Sequence, residues 1–401
     1  MAEPERDRLT RWRLVLGAED AEHAAGGESG AGEEGLGPVG LGPDDLARDR
    51  ALAELYGGRS RTGGLGRSAP RVARWLGDIR GYFPSSVVRV MQADAMERLG
   101  LAELLLEPET LDAVQPDVGL VSTLVALNRA VPERSRDAAR TLVRTVTDQL
   151  EQRLRPRLEQ AVSGALDRSA RTRRPRGGDV DWRRTIAANL RHYLPEHRTV
   201  VPERLVGFAR RSRRVERRVV LCLDQSGSMA ESVVYASVFA AVLGTLRSVQ
   251  TSLVVFDTEV VDLTDELHDP VDVLFGVQLG GGTDINRALA YCQGLITRPT
   301  ETVLVLVSDL YEGGIAEEML RRARQVVDSG ATMVALLALS DSGAPSYDAD
   351  HAAALAALGV PAFACTPDQF PDLMAAAIER RDLTGWAAEN DIVTTHATDD
   401  P

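Results

Sequence analysis

The sequence predicts an α/β protein: a doubly wound, mostly parallel sheet at the C-terminus, preceded by an all-helical domain. Three observations carry this expectation. From residue 218 onward, short apolar runs alternate with stretches of helical length, the grammar of strand–helix–strand units. From Asp44 to about Leu166 the apolar spacing is helical throughout. Between the two, residues 167–217 hold 15 arginines against six acidic residues, a sharp change in a chain whose formal net charge is −13.

Taken in order, residues 1–43 form an N-terminal segment. It holds a short possible helix or strand, Leu9–Leu16, and then a Gly- and Glu-rich stretch, 24–43, too polar to bury a core. In the helical domain, 44–166, Pro70 and Pro84 sit at first-turn positions, and Pro108, Pro116 and Pro132 punctuate further segments. From Glu133 to Arg155, Ala138, Leu142, Val146, Leu150 and Leu154 recur every four residues along one helix face, with Pro156 expected to kink or end it. The Arg-rich connector, 167–217, contains a basic linker expected to be disordered (Ala170–Gly178), a short helix (Asp181–Leu190) and the run Arg210–Arg218. Residues 218–385 carry strands near 218–223, 252–256, 302–308, 331–339 and 360–364, with helices over 231–248, 285–297, 315–329, 349–358 and 368–380. Val260–Leu263 fits a short antiparallel edge strand. The tail, 386–401, is polar and acidic and is expected to be disordered.

Composition excludes several classes. No run of about 18 apolar residues is present, and the N-terminus lacks the apolar core of a signal peptide, so a cytoplasmic location is expected. Cys222, Cys292 and Cys365 lie in apolar surroundings without paired spacing and read as reduced core residues. Every basic residue is arginine. Without lysine there is no Walker A phosphate loop and no Schiff-base chemistry.

The chemistry concentrates in three loops. Val219–Leu223 runs directly into Asp224-Gln225-Ser226-Gly227-Ser228. The carboxyl ends of parallel strands are where open α/β sheets bind ligands, and here one carboxylate and two hydroxyls fall on alternate residues. Such all-oxygen donors suit a hard divalent cation, Mg²⁺ first, with Mn²⁺ or Ca²⁺ as alternatives. The second loop is Leu279-Gly280-Gly281-Gly282-Thr283-Asp284; the third is Ser308-Asp309-Leu310, which follows the apolar run Val303–Val307.

Asp-x-Ser-x-Ser, then Gly-Gly-Thr-Asp, then Ser-Asp, each at a strand end and in that order, resembles the von Willebrand factor A domain. The resemblance implies a metal-ion-dependent adhesion site. Asp224, Ser226, Ser228 and Thr283 would lie around Mg²⁺, with Asp309 near it through water and Asp284 orienting the loop. A further position would stay open for a carboxylate of a partner protein. With its helical N-terminal region, its Arg-rich connector and Asp-Gln-Ser-Gly-Ser-Met, the chain is similar to bacterial CoxE-like A-domain proteins, whose implied partner is a MoxR-type AAA+ ATPase acting on a client. Magnesium chelatase D-type subunits share that pairing but carry an AAA+ module of their own, which this chain lacks.

Other constellations are weaker. His268 and His351 lack a ligand partner at metal spacing and read as surface histidines; His396 has no motif context. Asp257, Asp262, Asp265 and Asp269 read as a solvated loop, and Glu312 as a helix-entry acid. A strand-end Asp with Mg²⁺ also resembles haloacid-dehalogenase-type phosphatases, but Ser226 stands where their second Asp belongs, and their lysine is missing. The expectation is therefore a non-enzymatic, Mg²⁺-dependent protein-binding adaptor. A metal-dependent phosphohydrolase is the alternative, or a nucleic-acid-associated factor using the connector arginines; membrane and nucleic-acid partners are not expected.

Overall fold

The computed structural model describes residues 48, 51–52, 55, 69–99, 105–169, 171–172, 180–208, 217–247, 249–276, 282–341, 346–390 and 392. The Leu9–Leu16 segment, the 24–43 stretch, Arg173–Arg176, Arg210–Arg214, Leu279–Gly281 and residues 393–401 lie outside them. The chain divides into two compact units, Met1–Val146 and Thr147–Pro401.

The first unit is helical among its described residues: α1 (Ala69–Tyr82), α2 (Ser85–Leu99), α3 (Pro108–Ala113), α4 (Val118–Ala126) and the start of α5 (Glu133–Ser169). Starts follow local chemistry. Pro108 opens α3, where a missing N–H costs nothing. Asp117 caps α4 by accepting from the Leu120 N–H at 2.8 Å. Trp75, Leu76, Ile79, Met91, Val121 and Leu124 are buried, each burial stabilising by roughly 1.5–3 kcal/mol. The buried Gln92 is satisfied by both backbone groups of Gln115.

Helix α5 passes through Pro156 without ending, contrary to one sequence expectation. A mid-helix proline removes one backbone hydrogen bond. Against that, Leu154, Leu158, Val162 and Ala165 are all fully buried along one face. Beyond Val146 the helix belongs to the second unit. There Arg153 and Arg157 pair with Asp368 at 3.3 and 3.2 Å, and Arg155 donates to Thr245 at 3.2 Å.

The body of the second unit is a six-stranded sheet. Its strands are β5 (Arg217–Asp224), β6 (Val249–Phe256), β7 (Val260–Asp262), β8 (Thr302–Val307), β9 (Thr332–Leu339) and β10 (Ala362–Cys365); the pairs β1 (Arg171–Thr172) with β4 (Gly207–Phe208) and β2 (Tyr193–Leu194) with β3 (Thr199–Val200) precede it. The order is β10-β9-β8-β5-β6-β7, parallel except for the antiparallel edge β7. The expected strands are all present. From β5 the chain winds outward through β6, then crosses to β8 on the opposite side of β5. The switch point therefore falls between the carboxyl ends of β5 and β8, the position where such sheets bind ligands.

After the connector helix α6 (Trp182–Ala188), the helices are α7 (Ala230–Thr245), α8 (Pro270–Gly276), α9 (Ile285–Leu295), α10 (Ala316–Asp328), α11 (Ala349–Ala357), α12 (Phe370–Glu379) and α13 (Leu383–Glu389). Val220, Cys222, Val254, Leu304 and Leu306 form one core with α9, α10 and α11. Helix α7 covers strands β5, β6 and β9. Its Phe239 ring lies 4.3 Å from that of Phe370 on α12. Among the described residues, the segment Gly227–Thr245 is long and apolar enough to cross a membrane by length and composition, although polar residues interrupt it; 72% of its most apolar 18-residue window is buried in the fold. A disordered tail was expected from 386, yet 386–389 are helical, because Trp386 is buried with its ring 6.0 Å from Phe363. All three cysteines are free and buried.

The connector is more ordered than its arginines imply. Asn189 is 1% exposed. Its amide donates to the Thr185 and Arg204 carbonyls at 2.6 and 2.7 Å and accepts from the Glu203 and Arg204 N–H groups. The Thr185 hydroxyl, also buried, exchanges two hydrogen bonds with Val206. These two polar side chains fold residues 180–208 around themselves.

Candidate metal centre

The parallel register of β5 and β8 pairs Leu223 with Val307, which sets Asp224 beside Ser308 at the switch point. Ser308 donates its hydroxyl to Asp224 Oδ2 at 2.7 Å, and the Ser226 N–H donates to Asp224 Oδ1 at 2.8 Å. Ser228 donates to Asp309 Oδ2 at 2.5 Å, and the Ser226 and Ser228 hydroxyls are 3.2 Å apart. Hydrogen bonds thus link Asp224, Ser226, Ser228 and Asp309 into one oxygen-lined cluster. Asp224 and Asp309 are 1% and 4% exposed.

Thr283 is tied to the loop after β8 through the main chain. Its carbonyl accepts from the Gly313 N–H at 2.8 Å, and the next residue's N–H donates to the Asp257 carbonyl at 2.9 Å. A Cβ on Gly313 would stand 2.8 Å from the Thr283 carbonyl oxygen, so only glycine lets the loop after β8 approach this closely. Among the described residues the Thr283 hydroxyl forms no hydrogen bond with the other four side chains. Asp284 caps α9, accepting from the Arg287 N–H at 2.7 Å, which fits an orienting role.

Electrostatics mark the same spot. The Asp224 carboxyl is raised from 3.8 to about 6: burial is the main cause and the Asp309 charge adds to it, against the lowering effect of the Ser308 and Ser226 hydrogen bonds. Among the described residues neither carboxylate has an ion-pair partner. Two buried, uncompensated carboxylates are costly unless something positive joins them. All five candidate donors, Asp224, Ser226, Ser228, Thr283 and Asp309, are hard oxygens, so the residues fit Mg²⁺ or a similar divalent ion.

Three further residues support the loops. Leu310 adopts a left-handed φ of 65°, a strained conformation for a branched side chain. It is held from both sides: its N–H donates to Ser308 Oγ at 3.0 Å, and its carbonyl lies 3.0 Å from His351 Nδ1. That ring nitrogen also sits 3.1 Å from Asp348 Oδ2, and the Asp348 N–H donates to the Asp309 carbonyl. His351 is therefore no surface histidine. Nothing near it in sequence could reveal this, since its partner lies 41 residues away. Glu312 accepts from the Ile285 and Gly314 N–H groups at 2.7 and 3.0 Å, as a helix-entry acid does.

The remaining candidates do not join the site. Asp257, Asp262 and Asp269 each accept from a backbone N–H two residues on, and Asp262 also accepts from the Tyr291 hydroxyl. His268 is exposed, 3.6 Å from Asp272. His396 lies outside the described residues. Among the described residues no histidine bonds to Ser226 or Ser228.

Comparison with known proteins identifies the family of the fold that carries these loops. The family model described as "VWA domain containing CoxE-like protein" matches residues 154–374, more than half of the chain. The chain belongs to this family. The match begins inside α5, within the second compact unit. A relative in Escherichia coli (strain K12), the "Uncharacterized protein YehP", is 36% identical over 392 residues, covering 95% of this chain and 96% of its own length. Solved structures similar to parts of this CoxE-like protein include an aerotolerance-related membrane protein from Bacteroides fragilis (15% identity, 41% of this chain, 99% of that chain, TM-score 0.34). Another is the von Willebrand factor type A protein from Catenulispora acidiphila (14% identity, 41% of this chain, 42% of that chain, TM-score 0.33).

Proposed function

We propose that this CoxE-like chain is a non-enzymatic, protein-binding adaptor that docks a partner's carboxylate at a divalent cation held by its VWA loops. The observation that carries this reading is the hydrogen-bonded cluster of two buried carboxylates and two serines at the β5/β8 switch point. A bound cation would supply an electrophilic coordination position that an acidic side chain can fill. Asp224 would be the direct anionic ligand, its orientation fixed by Ser308 and the Ser226 N–H. Ser226, Ser228 and Thr283 would add neutral oxygens, leaving the ion's charge largely unquenched, and Asp309 would act from behind Ser228. Asp284, Glu312 and His351 hold the loops in place.

The partner is proposed to be a MoxR-type AAA+ ATPase. The absence of lysine from this chain supports it, since ATP-driven work on a client would need another protein's phosphate loop. Three buried free thiols are consistent with a reducing compartment such as the cytoplasm.

The test is capture with tagged full-length protein from host lysate, in Mg²⁺ and in EDTA, with Asp224→Ala and Thr283→Ala beside the wild type. An AAA+ ATPase retained only by wild type in Mg²⁺ is the expected result. Identical captured proteins in every arm would remove the cation from the docking mechanism.

A further inference from the structure

The connector segment 180–208 is folded inside out. In a surface helix the polar face meets water and the apolar stripe faces the core. In α6 and at its C-cap, Thr185 and Asn189 are buried, at 0% and 1% exposure. Trp182, Ile186 and Leu190, four residues apart, stand 57%, 45% and 61% exposed. Tyr193, Leu194 and Val201 are exposed beside them in sequence. These six make up half of the large hydrophobic residues exposed among the described residues of the whole chain. Isolated exposed hydrophobics need no explanation, but a concentration like this marks an interaction surface. Asn189 and Thr185 spend their hydrogen bonds on locking this arrangement, so the outward apolar face is built in.

The charge around the stripe selects the occupant. Arg183, Arg184, Arg191, Arg198 and Arg204 are exposed along the same segment. Arg184 and Arg191 already face Asp181 and Glu203. Among the described residues Arg183, Arg198 and Arg204 form no ion pair. An apolar strip with an aromatic anchor and a rim of arginines is the composition of a protein-recognition surface. Four of the six exposed side chains are aliphatic, which favours a peptide over stacked bases.

We propose that residues 180–208 form a second docking site, separate from the metal loops, for an acidic amphipathic segment of a partner protein. The segment's apolar side chains would cover Trp182, Ile186 and Leu190, and its carboxylates would meet Arg183, Arg198 and Arg204. The proposal does not depend on cation binding.

A random peptide library displayed on phage, selected on full-length protein, tests it directly. Enriched sequences are synthesised with a fluorophore and titrated by anisotropy against wild type, Trp182→Ser/Ile186→Ser/Leu190→Ser and Arg183→Glu/Arg198→Glu. Circular dichroism establishes that each variant is folded, and the charge variant tests the surface without touching its apolar residues. The expected peptides combine aromatic or aliphatic anchors with carboxylates. Affinity should fall at least tenfold in both variants and weaken with salt, yet be unchanged by EDTA. No enrichment, peptides without acidic residues, or equal affinity for the variants would overturn the proposal. So would tight binding of a single-stranded oligonucleotide lost in the same variants, or a wild-type dimer that the serine variant dissociates, since either gives the surface a different occupant.

Discussion

The metal loops and the connector segment are both built from a few buried polar groups, but they use them in opposite ways. At the β5/β8 switch point, buried polarity is left incomplete: Asp224 and Asp309 carry charge that no described residue neutralises. In the connector, buried polarity is complete: Asn189 uses both ends of its amide and Thr185 both roles of its hydroxyl. The first arrangement lowers stability until something binds, and so is organised around an ion. The second closes its own interior and turns its apolar residues outward. A buried polar residue therefore points to a ligand only when its hydrogen bonds and charge do not balance.

The largest test of that contrast is Asp224→Ala. Removing the direct carboxylate should abolish Mn²⁺ or Mg²⁺ binding, at least a hundredfold in affinity by calorimetric titration. The metal-free protein should stay folded, because the lost group was uncompensated. Unchanged binding would place the ion elsewhere.

The pH dependence of the metal-free protein sharpens the same point. Below 3.8 the Asp224 carboxyl is protonated whether folded or unfolded. Between there and about 6 the folded state holds a proton that the unfolded state has released, so stability falls as pH rises. The full penalty, roughly 3 kcal/mol, is reached above that window. Denaturant unfolding in EDTA should show this slope, and Asp224→Asn should flatten it. An equal slope in the Asn variant would contradict the account.

Asn189→Ala probes the satisfied side. It orphans backbone groups of Thr185, Glu203 and Arg204, at a cost of about 1–3 kcal/mol for each group left buried. Limited proteolysis should then cut within 180–208 while cation affinity stays at the wild-type value. Coupled loss of both would mean that the two regions do not act separately. The smallest effect is expected from His351→Ala, which frees the strained Leu310 carbonyl. Mn²⁺ affinity should drop severalfold while thermal unfolding barely moves, and His351→Asn should recover part of it.

The sequence displayed the first region far better than the second. Val219–Leu223 and Val303–Val307 are buried on both faces, so they read as uninterrupted apolar runs, and the loops after them are short enough to tie Asp224 and Asp309 to strand ends. The supports of those loops were hidden because they are non-local: His351 meets Leu310, and Glu312 meets Ile285, across 41 and 27 residues. Pro156 misled because proline's local cost is visible in sequence, whereas the packing of Leu154 and Leu158 is not. The connector's short helix was legible in the sequence, but the direction it faces was not. Periodicity assigns the apolar stripe of a helix to the interior, and here the buried residues are Thr185 in α6 and its C-cap Asn189. Only the hydrogen bonds that Asn189 donates to the Arg204 carbonyl and accepts from the Glu203 N–H reveal which way that helix faces.

The most direct measurement of the central claim is anomalous diffraction from crystals of the full-length protein soaked in Mn²⁺. The account predicts a peak among Asp224, Ser226, Ser228, Thr283 and Asp309. A peak elsewhere, or none in crystals where those side chains are ordered, would contradict it.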